Sequence, residues 1–455
     1  MTASPTLHTP DKDLSLLDEL VKAARRQGAD AADAVLRRNE SLNVAVRSGA
    51  VERLVRAESV ALGLRVFVGA RQAVVSTSDL DCHTVSDLVP RALAMARAVP
   101  EDPFCGLAEV PAGGWPGLAP DLDLDEAGEP APDTLRDRAL ALEVAAFAVP
   151  SVTNARVIDS TWSRSRVALA GSNGFAGAWS ATRHAMGAWV LASGPAGMER
   201  GGDSDSATHA GSLRSPAEVG RIAGERAARR LGARKMPSAA VPVVFDRTVA
   251  GSLLDHLLAA VSGPAVARGT SFLRNALGTA VFAPGVSVID DPVQPRGLRS
   301  QPFDGEGVTG SRRALIDDGV LTGWLLDVRS ARQLGLTPTG HAVRGAGGMP
   351  GPAPGNVRLE GGRGTVDDLI ADIRTGFYVT ELMGFGVNPV TGDYSRGASG
   401  FWIENGRITH PVAEMTVAGT LPAMFRALVP AGDLDPRTGI DAPTVRIDGM
   451  TVAGR

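Results

Sequence analysis

Between residues 41 and 77 apolar side chains alternate with polar ones, in runs too closely spaced for anything but antiparallel pairing. Leu42, Val44 and Val46 alternate with Ser41, Asn43 and Arg47. Val60, Leu62, Leu64, Val66 and Val68 repeat the pattern over five steps before Gly69 turns the chain into 73–77. The connections are a few residues long, whereas a parallel crossover needs about a dozen or more. A helix over 13–27 precedes these strands, with Leu14, Leu17, Val21 and Ala24 on one face and Gly28 to close it. A second helix is predicted over 86–99, with Pro90 tolerable in its first turn. Residues 1–100 therefore read as an antiparallel meander with flanking helices, an α+β arrangement.

Residues 101–132 lose all periodicity and fill with Pro, Gly and Asp, which predicts a long surface connection. The central α+β region, 133–236, opens with a helix over 134–149 and continues with strand-like segments at 155–160, 166–170 and 185–192. The polar stretch 197–211 reads as mobile. Ser215, Pro216 and Glu218 read as a capping box that starts another helix, ending near Gly232. From 237 to 455 a strand at 241–245 and a helix at 248–261, stopped by Gly263-Pro264, lead into short strands and glycine turns with one further helix at 366–376. That C-terminal region reads as a β-rich barrel-like or sandwich-like domain.

At 455 residues the chain is long enough for two or more domains. No run reaches the ~18 apolar residues of a membrane span, and the first residues lack an apolar signal core, so a cytoplasmic protein is expected. Two cysteines, Cys82 and Cys105, cannot build a disulfide framework or a four-thiolate zinc site. A formal net charge of −4 gives no overall basic field for nucleic acid. Lysine occurs only at 12, 22 and 235, and arginine supplies the rest of the 46 basic residues. Arginine so dominant suits anion recognition; it also follows from a GC-rich coding bias that inflates Ala, Gly and Pro together.

Local catalytic motifs are missing. The seven histidines, His8, His83, His184, His209, His256, His341 and His410, are far apart, and there is no HExxH, CxxC or HxH. Gly-x-Ser-x-Gly, Ser-x-x-Lys and phosphate-binding loops are also absent. Cys82 and His83, read as neighbours on a strand, would point to opposite faces and form no dyad. Asp255-His256 sits on a helix directly after a strand, with no ligand type at the following helical positions.

Instead the C-terminal region carries a dense set of unusual phrases. They include Phe303-Asp304-Gly305-Glu306-Gly307-Val308, Thr339-Gly340-His341-Ala342-Val343-Arg344 and Gly384-Phe385-Gly386-Val387-Asn388-Pro389. Then comes GDYSRGASGFWIENGRITHPVAEMTVAGTL, with Asn405-Gly406 marking a type I′ hairpin. These phrases resemble the C-terminal signature of the TldD/PmbA family, peptidases also called modulators of DNA gyrase. The resemblance extends to VAVRSGAVERLVRAESVALGLRVFVG near the N-terminus, to 134–230, and to 237 onward.

Within that family the catalytic TldD branch carries HExxxH on a helix and a C-terminal cysteine as a further zinc ligand. Here SLLDHLLAA takes the motif's place: Asp255 stands for the first histidine, His256 for the glutamate and Ala260 for the second histidine. No cysteine follows Cys105. The sequence is similar to the PmbA (TldE) branch, whose members lack their own zinc site. The resemblance implies no cofactor and no catalytic residue in this chain, and zinc on a TldD-type catalytic subunit with which it forms a heterodimeric cytosolic metalloprotease for unfolded peptides. A homodimer is the alternative when that partner is absent. Candidate peptide contacts are Asp304, Glu306, His341, Arg344, Asn388, Asp393, Ser395 and Arg396, although Asp, Asn and Ser beside glycine also serve as turn residues. Two other functions fit the same residues: an independent hydrolase with a metal on Asp255 and His256, and a peptide-binding regulator of the gyrase-modulator type without turnover.

Overall fold

A computed structural model describes residues 10–111, 115, 120–195 and 197–454. His8, the first residues and parts of the expected 101–132 connection lie outside the described residues. Helix α1 (Pro10–Arg26) leads into β1 (Ala31–Arg47), β2 (Ala50–Val68) and β3 (Arg71–Thr77). Ser48 and Gly49, at φ 53° and 77°, make the β1–β2 turn. The register runs from Ala31↔Phe67 to Arg47↔Ala50. As the alternation requires, Leu62, Leu64 and Val66 are fully buried, under α1 and α2 (Cys82–Ala98). Helix α2 begins earlier than expected because Asp81 accepts the His83 N–H at 2.9 Å and caps it. Pro90 therefore lies in the helix interior, and Cys82-His83 open a helix instead of lying on a strand.

After α3 (Pro132–Phe147) come β4 (Val152–Gly171), β5 (Ala176–Gly194) and β6 (Gly197–Ala207). The two segments expected at 155–160 and 166–170 are one strand, because β4 is paired on both sides and its polar middle stays in the ladder. The sheet order is β3-β2-β1-β4-β5-β6, antiparallel throughout. The stretch expected to be mobile is its edge strand. Gly201 admits helix α4 (Pro216–Arg229) so closely that a Cβ there would lie 2.2 Å from the Ala227 nitrogen. Arg226 and Arg214 donate to the carbonyls of Gly202 and Ser204, at 2.9 and 2.8 Å, and so partner two carbonyls of the edge strand. The capping box of α4 does not form: Ser215 makes no side-chain cap bond, and Glu218 faces Arg214 at 3.8 Å.

The C-terminal region holds β7 (Ala239–Phe245), α5 (Arg247–Ala260), α6 (Gly263–Ala267), β8 (Val288–Asp291), β9 (Arg313–Asp317), β10 (Val320–Leu321) and α7 (Val328–Leu334). It continues through β11 (Ala342–Val343), β12 (Gly351–Pro352), β13 (Asn356–Leu359), α8 (Val366–Ile370), β14 (Thr375–Met383), β15 (Asp393–Glu404) and β16 (Arg407–Thr420). It ends with α9 (Leu421–Ala427), β17 (Leu428–Pro430), β18 (Ile440–Asp441) and β19 (Val445–Ala453). Strands β7, β14, β15, β16 and β19 pair in a ring, closed by Thr416↔Ala453 and Val445↔Phe245, so the domain is a five-stranded barrel and not a sandwich. A second sheet, β10-β9-β8-β13-β18, stands beside it. Gly263-Pro264 starts α6 instead of stopping α5, with Pro264 in the first turn where it costs no hydrogen bond. Helices α7 and α9 were not expected, and the helix predicted at 366–376 is the single turn of α8 followed by β14. Asn405 and Gly406, at φ 48° and 74°, turn the β15–β16 hairpin as expected.

Candidate functional site

Helix α5 starts where the Asp246 carboxylate accepts the Thr248 N–H at 2.9 Å, and it is held by buried Leu253, Leu254, Leu257 and Leu258. That packing leaves Asp255 on the open side, in a cleft of about 490 Å³ that Arg299 and Arg396 also line. Burial pushes the Asp255 carboxyl up, and the charges of Arg299 and Arg396 oppose this. His256 is half-buried, its ring 5.8 Å edge-on from Tyr394, and its Nε2 is buried without a hydrogen-bond partner. Burial and then the Arg396 charge lower its pKa. Ala260 is buried and has no donor atom.

The resemblance implies zinc at this place in the family's catalytic branch, and these residues do not fit it. Of the two ligand positions on α5, Ala260 has no donor and Asp255 alone offers one, while His256, in the place of the base, turns its ring toward Tyr394. Among the described residues no group of three or more His, Cys, Asp or Glu could hold a metal ion.

The eight candidate peptide contacts fall into three places. Asp304, Glu306, His341 and Arg344 are all buried and engage partners within the chain. Asp304 accepts the N–H groups of Glu306, Val308 and Ala342, at 2.8, 3.0 and 2.9 Å. Burial, with the Glu306 charge added, nonetheless pushes its carboxyl up to about 7. Glu306 accepts the Val328 N–H at 2.8 Å and faces Arg65 at 3.3 Å. Arg344 donates to Asp33 at 2.7 Å, and Arg65 pairs with the same carboxylate. His341 lies between Thr339 and Asp290, at 2.9 and 3.0 Å. Through Asp33 and Arg65, Arg344 and Glu306 join β1 and β2 of the first sheet to loops of the C-terminal region, within which Asp304 and His341 bond. Asn388, Asp393 and Ser395 are exposed, and the Asn388 carboxamide closes a local turn by accepting the Val390 N–H at 3.0 Å. Arg396 stands in the cleft beside Asp255.

Sequence reasoning missed Asp33 and Arg65, because alternation assigns Arg65 to solvent. The face it shares also carries Ala61, Gly63 and Phe67, however, and a Cβ on Gly63 would lie 2.0 Å from the Ala346 carbonyl, so that face is covered. A second cavity, of about 570 Å³, adjoins the cleft across Thr248, Val249, Thr380 and Glu381 and is lined by five arginines that no motif singled out. Burial would raise the Glu381 carboxyl, but Arg230 and Arg200 outweigh this and hold it below the usual range.

Three family models match in order: PmbA/TldA metallopeptidase domain 1 over residues 32–96, the central domain over 125–231 and the C-terminal domain over 238–454. The metalloprotease PmbA of Escherichia coli O157:H7 is 35% identical over 445 residues, 97% of this chain and 96% of that protein. A PmbA homologue of Haemophilus influenzae is 34% identical over 95% of this chain and 94% of its own length. The TldD homologue of Haemophilus influenzae is 27% identical over 49% of this chain and 50% of its own. A crystal structure from Bacteroides thetaiotaomicron, described as a candidate modulator of DNA gyrase, superposes with a TM-score of 0.87 at 27% identity, covering 98% of this chain and 99% of that one. TldE from Thermococcus kodakarensis has the same fold, with a TM-score of 0.85 at 18% identity over 96% of this chain and all of that one.

Proposed function

Since this chain belongs to the PmbA branch of the TldD/PmbA metallopeptidase family, we propose that it is the subunit without a zinc site in a two-subunit, cytoplasmic peptidase. Its TldD-type partner carries the zinc and cleaves unfolded peptides. The observation that carries this reading is the donor set on α5, where Asp255, His256 and Ala260 replace the ligand and base positions. The role left to this chain is to hold substrate.

Arg396 beside Asp255, with Asn388, Asp393 and Ser395 at the exposed β14–β15 and β15 positions, would meet peptide in a chamber shared with the partner. Glu306 and Arg344 would serve that chamber from behind by fixing the first sheet, through Arg65 and Asp33, against the C-terminal loops that Asp304 and His341 brace. Phe385, fully exposed between Gly384 and Gly386, offers an apolar contact for the partner. Residues 1–100, 133–236 and 237–455 would act as three units, joined by the connection at 101–132. Among the described residues no helix is long and apolar enough to cross a membrane.

The test is a peptidase assay on an unstructured peptide, with metal analysis and size-exclusion chromatography, on this chain alone and mixed with a TldD-branch protein. Turnover and zinc confined to a co-eluting mixture are the expected result. Zinc and turnover in the isolated chain, lost on His256→Ala, would overturn the assignment in favour of an independent hydrolase. Peptide binding without turnover in the mixture would favour a regulator.

A further inference from the structure

The five arginines of the larger cavity come from three elements. Arg156 is on β4, Arg200 on β6, and Arg226, Arg229 and Arg230 lie at the C-terminal end of α4. Three are matched: Arg200 and Arg230 share Glu381 of β14, and Arg226 reaches Asp203 at 2.7 Å. Arg156 and Arg229 are exposed at the cavity and have no carboxylate partner among the described residues. The Arg229 guanidinium lies 4.9 Å over the Phe401 ring. Against the five arginines the lining has only two acids, Glu381 and Asp246, in a chain whose net charge is −4. Asp246 is committed to the Thr248 N–H and to the Tyr378 hydroxyl, at 2.6 Å from the latter.

Another part of the lining is apolar. Trp189 is 41% exposed, unusual for so large a ring, and it occupies the space that side chains at Gly187 and Gly202 would need: a Cβ at either would come within 2.4 Å of the indole. The glycine pair and the tryptophan thus form one built surface, next to Tyr378, Phe401 and Ile408.

Guanidinium forks match carboxylate and phosphate equally well, and the volume suits a small ligand. A phosphate would also look for a helix N-terminus, and the one that opens here, on α5, already has Asp246 as its cap. The combination therefore favours a carboxylate next to an apolar group. We propose that this cavity binds the C-terminal carboxylate of an extended peptide ending in an aromatic or large aliphatic residue, with Arg156 and Arg229 on the carboxylate and Trp189 against the side chain. The peptide then continues past Glu381 into the cleft at Asp255 and Arg396. That the ligand is a peptide rests on the subunit reading above; the carboxylate-plus-apolar chemistry rests on the cavity alone, and a free aromatic acid would share it.

Isothermal titration of the full chain, with neither partner nor zinc present, tests this. The probes are N-acetyl-Leu-Gly-Phe as free acid, the same peptide as its amide, and N-acetylphenylalanine. The tripeptide acid should bind at least tenfold more tightly than its amide or N-acetylphenylalanine. Arg156→Ala and Arg229→Ala should each weaken the acid by tenfold or more and leave the amide unchanged, while Trp189→Ala weakens both; thermal melts check that each variant is folded. Equal binding of acid and amide, or no binding of the acid to folded chain at millimolar concentration, overturns the proposal. N-acetylphenylalanine binding as tightly as the tripeptide also overturns it, in favour of a free acid as ligand. Failure of this chain to pair with a TldD-branch protein would be seen in the chromatography and not in these titrations, so the two readings fail separately.

Discussion

Replacing Arg65 by methionine removes the residue that two buried carboxylates share. Arg65 is 3% exposed, donates from Nε to Asp33 at 3.1 and 3.2 Å, and reaches Glu306 at 3.3 Å. Burial alone would raise the Asp33 carboxyl, but the charges of Arg344 and Arg65 outweigh it and hold the group ionised. In the native chain Asp33 and Glu306 are balanced by Arg65 and Arg344; in Arg65→Met one buried negative charge has no counterpart. Breaking such a pair from one side costs about 3–5 kcal/mol.

Part of that loss can be escaped by protonating Glu306, already shifted up by burial and held down mainly by Arg65. A carboxyl raised in the folded state contributes stability that is complete below its unfolded pKa and disappears as pH rises through the folded value. The cost of Arg65→Met should therefore be largest at pH 8 and smaller at pH 5. Urea unfolding, followed by circular dichroism and tryptophan fluorescence, measures it. The double variant Arg65→Met/Glu306→Gln removes charge from both sides and should recover about 1–3 kcal/mol relative to the sum of the singles. A single-variant loss below about 1 kcal/mol, or strict additivity in the double, would refute the account of this cluster as a charge-balanced joint between sheet and C-terminal region.

Three other outcomes follow from particular contacts. Gly201→Ala should destabilise by about 1–3 kcal/mol, because the added methyl meets the Ala227 backbone nitrogen 2.2 Å away; an unchanged melting temperature would mean that α4 does not pack on β6 as described. Asp304 stands at about 7 against an ordinary 3.8, so its contribution to stability is complete below about 3.8, shrinks as pH rises and is gone above 7. The wild-type urea midpoint should fall between pH 5 and pH 8, and Asp304→Asn, whatever its absolute stability, should flatten that slope; an unaltered slope would place the titrating group elsewhere. Phe385→Asp should leave the melt unchanged, since the ring is fully exposed, and weaken co-elution with a TldD-branch protein; full retention of co-elution would move the contact away from this loop.

What the sequence made legible follows the range over which each signal acts. Period-two alternation is local, and it placed Leu62, Leu64 and Val66 in the core correctly. It could not show that the opposite face of β2, with Arg65, is also covered, because the covering residues, Glu306 and Arg344, come from more than two hundred positions away. The Asn405-Gly406 turn was readable for the same local reason, both residues needing positive φ. Strand β6 was not: its glycines and small polar residues look like loop, and it became a strand because Gly201 accepts a helix and Gly202 a tryptophan. The arginine cavity was invisible for a related reason. Arginines at 156, 200, 226, 229 and 230 mean nothing in a chain so rich in arginine until β4, β6 and α4 bring them together.

Helix α5 shows why fold and chemistry separate so cleanly in this chain. Its stability comes from the Asp246 cap and from Leu253, Leu254, Leu257 and Leu258, none of which occupies a position where a ligand or base would stand. Asp255 faces open space, so either a histidine or an aspartate can occupy it without disturbing the core. Ala260 faces inward and is 3% exposed; an imidazole there would have to displace packed neighbours, so a small side chain suits this buried position. His256 leaves its Nε2 buried without a hydrogen-bond partner, and burial, with the Arg396 charge added, lowers its pKa. The helix is thus held by residues other than those at the motif positions, which is why the family is legible from the whole chain while the departure from HExxxH is legible only at Asp255, His256 and Ala260.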